Sequence, residues 1–330
     1  MAELTSQCAE VSPPLVTVLA LAYNHERWVI QALDAIACQT YPAIELIIVD
    51  DCSSDSTAVL IEGWLRTTGR DATFIKNPVN LGVGGARNVA LGHARGAFVT
   101  TAAADDFYEK DRIERQLASF AAAGDDVAVV YGDLREVDED GVAFPSSVQR
   151  WQRQTPPADE FWFETLLQSN FVPSPAAMSR TRVVKSLGGW DEQLVIDDWD
   201  LWLRISCCHR LVYVPGCVSN YRLTAGGLSR DPASAYRRSE STVRILMKWA
   251  DDSERGRRAF IRAWKTAIRA SIAYPAEELD LFKLLLDGSL SKPRRALVRV
   301  SMRRPCLRLA GRLLQRTRHL RSSLGDGCEP

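Results

Sequence analysis

Seven aspartates stand in three tight groups, Asp50 and Asp51, Asp105 and Asp106, and Asp197, Asp198 and Asp200. The stretch LIIVDDCSSD, Leu46 to Asp55, shows the pattern most clearly: a continuous apolar run stops at two adjacent carboxylates and small polar residues. A buried parallel strand ends in this way at the margin of its sheet, where open α/β folds place their ligands. Asp105 and Asp106 close a second such run, and the third group opens a helical stretch. Hard carboxylate oxygens at these places suit a divalent cation and a phosphorylated ligand.

The elements that must position them alternate. Strands are expected at Leu15 to Ala22, Ile44 to Val49, Ala72 to Ile75, Ala97 to Ala102 and Val127 to Tyr131. Helices are expected between them. One carries Trp28, Leu33 and Ile36 behind a cap at Asn24, and others follow Ser54 or Asp55 and run from Tyr108 to Ala123. This rhythm predicts right-handed βαβ units and an α/β fold with a mostly parallel sheet flanked by helices. After Tyr131 come a turn at Asp138 to Gly141, a loop over residues 145–160, a helix over Asp197 to Cys207 and a late strand at Leu211 to Val214. From Ala233 onward the chain reads as a helical, charged extension. The expected organisation is a polar leader over residues 1–14, a main domain over 15–230, and the extension over 231–330.

The 330 residues are 46% hydrophobic and 25% charged, as in an ordinary globular protein. No apolar stretch has the length of a membrane span, and the first residues lack a signal-peptide core. The eight cysteines form no CxxC pair and read as free thiols in a reducing cytoplasm. Zero net charge hides an asymmetry: residues 292–321 hold 11 Lys or Arg and no acid, and the residues before them hold 30 basic against 39 acidic. Arg304, Arg308, Arg312 and Arg316 recur every four residues beside leucines. Such a basic amphipathic helix suits an anionic membrane surface, and equally a solvated helix packed on its own domain or on another subunit; the expected location is the cytoplasm, at the inner face of the cell membrane on the first of these readings. A nucleic-acid partner is not expected, since no aromatic residues or binding motif accompany the arginines.

The stretches AYNHERWVIQALDAIACQTYPAIELIIVDDCSSDST, NLGVGGARNVALGHARGAFV with the following ADDF, GGWDEQL and DDWDLWLRI resemble family 2 glycosyltransferases over residues 15–230. The resemblance implies a GT-A fold and inverting transfer from a nucleotide-diphosphate sugar of the UDP type to a saccharide or lipid-linked acceptor, as in polysaccharide biosynthesis. It implies Mn²⁺ or Mg²⁺ at Asp105 and Asp106, although Ala103 stands where the family often has the first acid of a DxD triplet. Tyr23 would stack on the base beside Asn24, Asp51 would bond a uracil-type N–H, and Asp50 would orient the turn or the ribose. Arg87 and Asp105 would also face the donor, and Arg222 would reach the diphosphate from a mobile loop hinged at Gly226 and Gly227. Asp198, the second acid of an ED-like motif with Asp197 in place of Glu, would be the general base, kept ionised by the helix dipole. Asp191, Asp197 and Trp199 would line the acceptor side.

Two other readings fit parts of the sequence. The missing acid at Ala103 suits a non-catalytic nucleotide-sugar binder on the same fold. The glycines at 82, 84 and 85 suggest a dinucleotide-binding oxidoreductase, but GVGG is not GxGxxG and follows the third strand instead of the first.

Overall fold

The computed structural model describes residues 12–145, 162–224, 226–228, 231–251 and 253–273. The basic stretch at 292–321 lies outside them. Chain contacts separate a unit Met1–Ser241 from a unit Thr242–Pro330.

The first unit is built on one sheet of eight strands: β1 Val16–Ala22, β2 Ile44–Asp50, β3 Thr73–Lys76, β4 Phe98–Ala103, β5 Phe107–Tyr108, β6 Val127–Val137, β7 Ala177–Arg180 and β8 Arg210–Arg222. They lie in the order β3-β2-β1-β4-β7-β6-β8-β5. β1, β2, β3 and β4 are mutually parallel. β7 then runs antiparallel between β4 and β6, and β8 is parallel to β6. The chain winds outward from β1 through β2 and β3, then crosses back to lay β4 on the other side of β1. That reversal makes a topological switch point beyond the carboxyl ends of β1 and β4, the place where such sheets bind ligands.

Apolar periodicity accounts for the flanking helices. In α1, Val29–Ala37, the buried Val29, Ala32, Leu33 and Ile36 share one face. α2 is Thr57–Thr68, α3 is Gly82–His93 and α4 is Arg112–Ala123. α5 Trp162–Gln168, α6 Thr181–Ser186 and α7 Asp197–Ser206 follow. α8, Ala235–Lys248, runs across the division between the units, and α9, Glu254–Ala273, lies in the second. None of the described helices is long and apolar enough to cross a membrane.

Three local expectations are corrected. Asn24 does not cap α1: the His25 carbonyl accepts the N–H groups of Trp28 and Val29, and Asn24 takes a left-handed backbone with φ 55°. α4 begins only at Arg112, because Phe107 and Tyr108 pair with Asn220 and Ser219 of β8. The late strand runs on to Arg222 through Pro215 and Gly216 because its register against β6 shifts at Gly132 and Asp133. A bulge admits the proline that the sequence reads as an end.

Candidate active site

The loops after β1 and β2 are knitted together. Asn24 N–H donates to Ser53 Oγ at 2.9 Å, and its side-chain oxygen accepts the Ser54 N–H at 2.8 Å. His25 N–H donates to Thr57 Oγ1, Glu26 N–H to Asp55, and Ser56 N–H to Glu26. Tyr23 stands on this rim with 46% of its surface exposed, so its ring is available for stacking.

The neighbouring acids Asp50 and Asp51 have different surroundings. Asp51 is buried and accepts the Asn77 side-chain amide at 2.7 Å and the Leu81 and Gly82 N–H groups at 2.9 Å each. It therefore fixes the glycine-rich turn that starts α3. Asp50 accepts the Ser53 N–H with Oδ2, and its buried Oδ1 has no donor among the described residues.

Asp105 and Asp106 sit just past β4. The turn is held by Ala104 N–H on the Leu21 carbonyl and Asp106 N–H on the Ala103 carbonyl. Asp106 is buried; Oδ1 accepts the Arg222 N–H at 2.8 Å, and Oδ2 has no donor among the described residues. Burial, and next the charge of Asp105, push its carboxyl well above the ordinary range. Such an oxygen, unmatched and costly to ionise without a nearby positive charge, fits a bound cation. Asp105 keeps its side chain partly exposed, with Oδ2 at 3.9 Å from His25 Nε2. The buried His25 Nδ1 also has no partner among the described residues.

Arg222 is placed in the last position of β8, not on a loop. Its Nε donates to the Asp105 carbonyl, Nη1 to the carbonyls of Asp138 and Glu139, and Nη2 to Gln31. The guanidinium lies against the Trp28 and Phe107 rings. At 3% exposure it supports the acidic turn from beneath.

α3 links this region to the third acidic group. Arg87 Nη1 pairs with Asp197 Oδ1 at 2.5 Å, and Nη2 donates to Ser174 Oγ. Asn88 brackets Trp190, accepting its N–H and donating to its carbonyl. Gly84 allows the close approach there: a Cβ would stand 3.2 Å from Glu192 Cα and 3.4 Å from Asp197 Oδ2. Asp191 turns the GGWDE segment by accepting the Gln193 N–H. Asp200 pairs with Arg204, which donates to the Leu187 and Gly189 carbonyls and anchors the same segment.

Asp198 opens α7 with Oδ1 accepting the Trp199 N–H at 2.7 Å and the Asn170 side-chain amide at 3.3 Å. Its pKa is raised to about 6, first by burial and next by the Asp197 charge. These outweigh the Arg87 charge and the hydrogen bonds from the Trp199 N–H and Asn170, which lower it. The result is a stronger base that still ionises near neutral pH. The Trp199 ring is buried and donates to the Leu166 carbonyl, so this residue meets Asp198 through its backbone.

Strand-end geometry thus gathers Tyr23, Asn24, Asp50, Asp51, Asp105 and Asp106, and α3 ties Arg87 to Asp197 beside Asp198. His25, Asn88 and Asn170 belong to this constellation as well. His25 and Asn88 have sequence signals beside YN and ARN; a lone Asn170 after a helix has none.

A family model, Glycosyl transferase family 2, matches residues 17–188. The succinoglycan biosynthesis protein ExoO of Rhizobium meliloti is 29% identical over 224 residues, 66% of this chain and 63% of that protein. The poly(ribitol-phosphate) beta-N-acetylglucosaminyltransferase TarS of Staphylococcus aureus is 28% identical over 173 residues, 51% of this chain and 28% of that protein. The chain therefore spans less than two thirds of the length of these relatives. Among solved structures, S. aureus TarS 1-349 in complex with UDP superposes with a TM-score of 0.59 at 18% identity, covering 92% of this chain and 91% of that one. The mannosyltransferase PcManGT from Pyrobaculum calidifontis, in complex with GDP-Man and Mn²⁺, gives 0.58 at 22% identity, covering 92% of this chain and 88% of that one. The sheet and its helices are the GT-A arrangement that these structures share.

Proposed function

The chain belongs to glycosyl transferase family 2 and is a glycosyltransferase, and on that premise we propose that it moves a sugar from a nucleotide-diphosphate donor of the UDP class, with inversion, to a hydroxyl of a saccharide or lipid-linked acceptor. The observation that carries the reading is Asp106: a buried carboxylate oxygen without a donor among the described residues, just past the end of a parallel strand at the switch point of the sheet. Among the described residues no three His, Cys, Asp or Glu side chains gather around a metal position. Asp105 and Asp106 would therefore hold Mn²⁺ or Mg²⁺ together with diphosphate oxygens. When bound, the cation offsets the charge that develops on the departing nucleotide.

The remaining steps are assigned to side chains. Tyr23 supplies a stacking face for the base. Asp50 keeps an oxygen for the donor, and Asp51 acts on it through the turn at Leu81 and Gly82. Asp198 takes the proton of the attacking hydroxyl on Oδ2, which accepts no hydrogen bond from the described residues. Arg87 holds Asp197, which with Asp191 shapes the acceptor side. Support for the donor class comes from the neighbours, since TarS structures hold UDP or UDP-GlcNAc and PcManGT holds GDP-Man with Mn²⁺. The relative ExoO, named for succinoglycan biosynthesis, favours a polysaccharide product. Domains over 15–230 and 231–330, and a peripheral membrane contact through residues 292–321, belong to the same proposal.

The test is a thermal-shift panel of UDP- and GDP-sugars with and without Mn²⁺, followed by nucleotide release and by NMR of the product anomer. A donor that stabilises the protein only with the cation, and a product of inverted configuration, are expected. Asp198→Asn should bind that donor and transfer nothing. Retained anomeric configuration, or full transfer by Asp198→Asn, overturns the mechanism.

A further inference from the structure

Among the described residues, Asp198 is held at one oxygen only. Oδ1 accepts both the Trp199 N–H and the Asn170 amide, and Oδ2 accepts nothing from the described residues. Asn170 follows α5 in the chain, whereas Asp198 opens α7. The segment that carries Asn170 is already tied to α7 on both sides of it: the Leu166 carbonyl accepts Trp199 Nε1 at 2.7 Å, and the Val172 carbonyl accepts Trp202 Nε1 at 3.1 Å. The asparagine is therefore not needed as a tether, and its amide is available to act on the carboxylate.

The amide is also set in one sense at a cost. Its carbonyl, Asn170 Oδ1, is buried with no donor among the described residues. Turning the amide over would leave that cost in place and aim a carbonyl at an ionised carboxylate. Only the observed sense suits a charged Asp198.

We propose that Asn170 is the positioning residue for Asp198, holding Oδ1 so that Oδ2 is the oxygen presented to the acceptor hydroxyl. The proposal rests on Asp198 as the general base. The other charged groups facing this carboxylate are Asp197 on its own helix and Arg87 from α3, and both are untouched by changes at 170.

The test is a titration. The protein is labelled at aspartate Cγ with ¹³C, and the Asp198 signal is assigned by its loss in Asp198→Asn. Removing a hydrogen bond to the charged form raises a carboxyl's midpoint. In Asn170→Ala the Asp198 midpoint should rise by about half a unit, a modest share for a long hydrogen bond. In the near-isosteric Asn170→Asp the added like charge should raise it further. A midpoint that stays at the wild-type value in either folded variant overturns the proposal, even if that variant melts earlier. Asp198→Asn separates this outcome from the function itself: full sugar transfer by that variant removes the base role, whatever the titration shows.

Discussion

Arg87 Nη1 meets Asp197 Oδ1 at 2.5 Å, an ion pair with both side chains largely buried, between the glycine-rich helix and the helix that carries Asp198. The same α3 starts in the turn gripped by Asp51, so one rigid element touches both the donor-side turn and the acidic pair. Asp197 Oδ2 has no donor among the described residues, which leaves this carboxylate dependent on the arginine.

Removing the guanidinium should therefore strand a buried charge. Arg87→Ala is expected to lose about 3 kcal/mol of unfolding free energy, the scale for breaking a buried pair from one side. Arg87→Met combined with Asp197→Leu should recover most of it. Denaturant titration at neutral pH measures both, and a single variant within about 0.5 kcal/mol of wild type would show that the pair does not anchor the helices.

The fold and the strand-end acids are legible in the sequence because one physical rule covers both: a strand buried on two faces is apolar until it leaves the sheet. Asp50, Asp51, Asp105 and Asp106 stand out against Leu46–Val49 and Ala102–Ala104 for that reason. What Asp51 binds is not legible, because its Leu81 and Gly82 partners are backbone N–H groups, which every residue but proline owns. Arg222 reads as a loop residue because Pro215 and the pair at 226–227 resemble breakers, while the bulge that carries β8 past the proline depends on its partner β6. The contact of Asn170 with Asp198 spans 28 positions and leaves no periodic trace.

Asp51→Ala should free the Leu81 and Gly82 N–H groups and the Asn77 amide together. The expected loss is about 2–3 kcal/mol, as for stranding several donors at once. UDP should then stabilise the variant less than the wild type, because the turn beside the base is no longer held. Thermal shift with UDP alone checks this, and an undiminished shift would place the base elsewhere.

Asp198 gives a pH signature. Its folded-state pKa of about 6 lies above the ordinary aspartate value, so folding favours the protonated form. The stability cost is absent below about pH 4, grows as pH rises, and is complete above the folded-state midpoint. Asp198→Asn should therefore be more stable than wild type at pH 8, by about 1–3 kcal/mol after allowance for partial exposure, with the gap closing near pH 4. Transfer by the wild type should rise along an acidic limb centred near pH 6. Denaturation midpoints at pH 4 and pH 8, and a transfer–pH profile, check the two halves independently.

Gly189 sits at φ +76°, and a Cβ there would fall 2.3 Å from Asn88 Oδ1. Gly189→Ala should displace Asn88 from Trp190 as well as strain the backbone, at a cost of about 2–4 kcal/mol. Gly188 shares the left-handed backbone at φ +79° but has open space around it. Gly188→Ala should lose only about 1 kcal/mol. Equal losses at the two positions would mean that Asn88 gives way freely.

Asp106 offers the sharpest separation of stability from ligand chemistry. Its carboxyl is buried, faces the charge of Asp105 and keeps one oxygen without a donor among the described residues, so the folded state favours protonation. As with Asp198, that cost grows with pH from about 4 upward. Asp106→Asn retains a carbonyl oxygen for the Arg222 N–H and removes the charge. The variant should melt higher than wild type at pH 8 in the presence of EDTA. A divalent cation with UDP should reverse the order, since it matches the carboxylate and has little to gain from the amide. The expected pattern is therefore a crossing: Asp106→Asn more stable without Mn²⁺, wild type more stable with Mn²⁺ and UDP. If Mn²⁺ and UDP stabilise both proteins equally, Asp106 is not a ligand, and its unmatched oxygen has another cause.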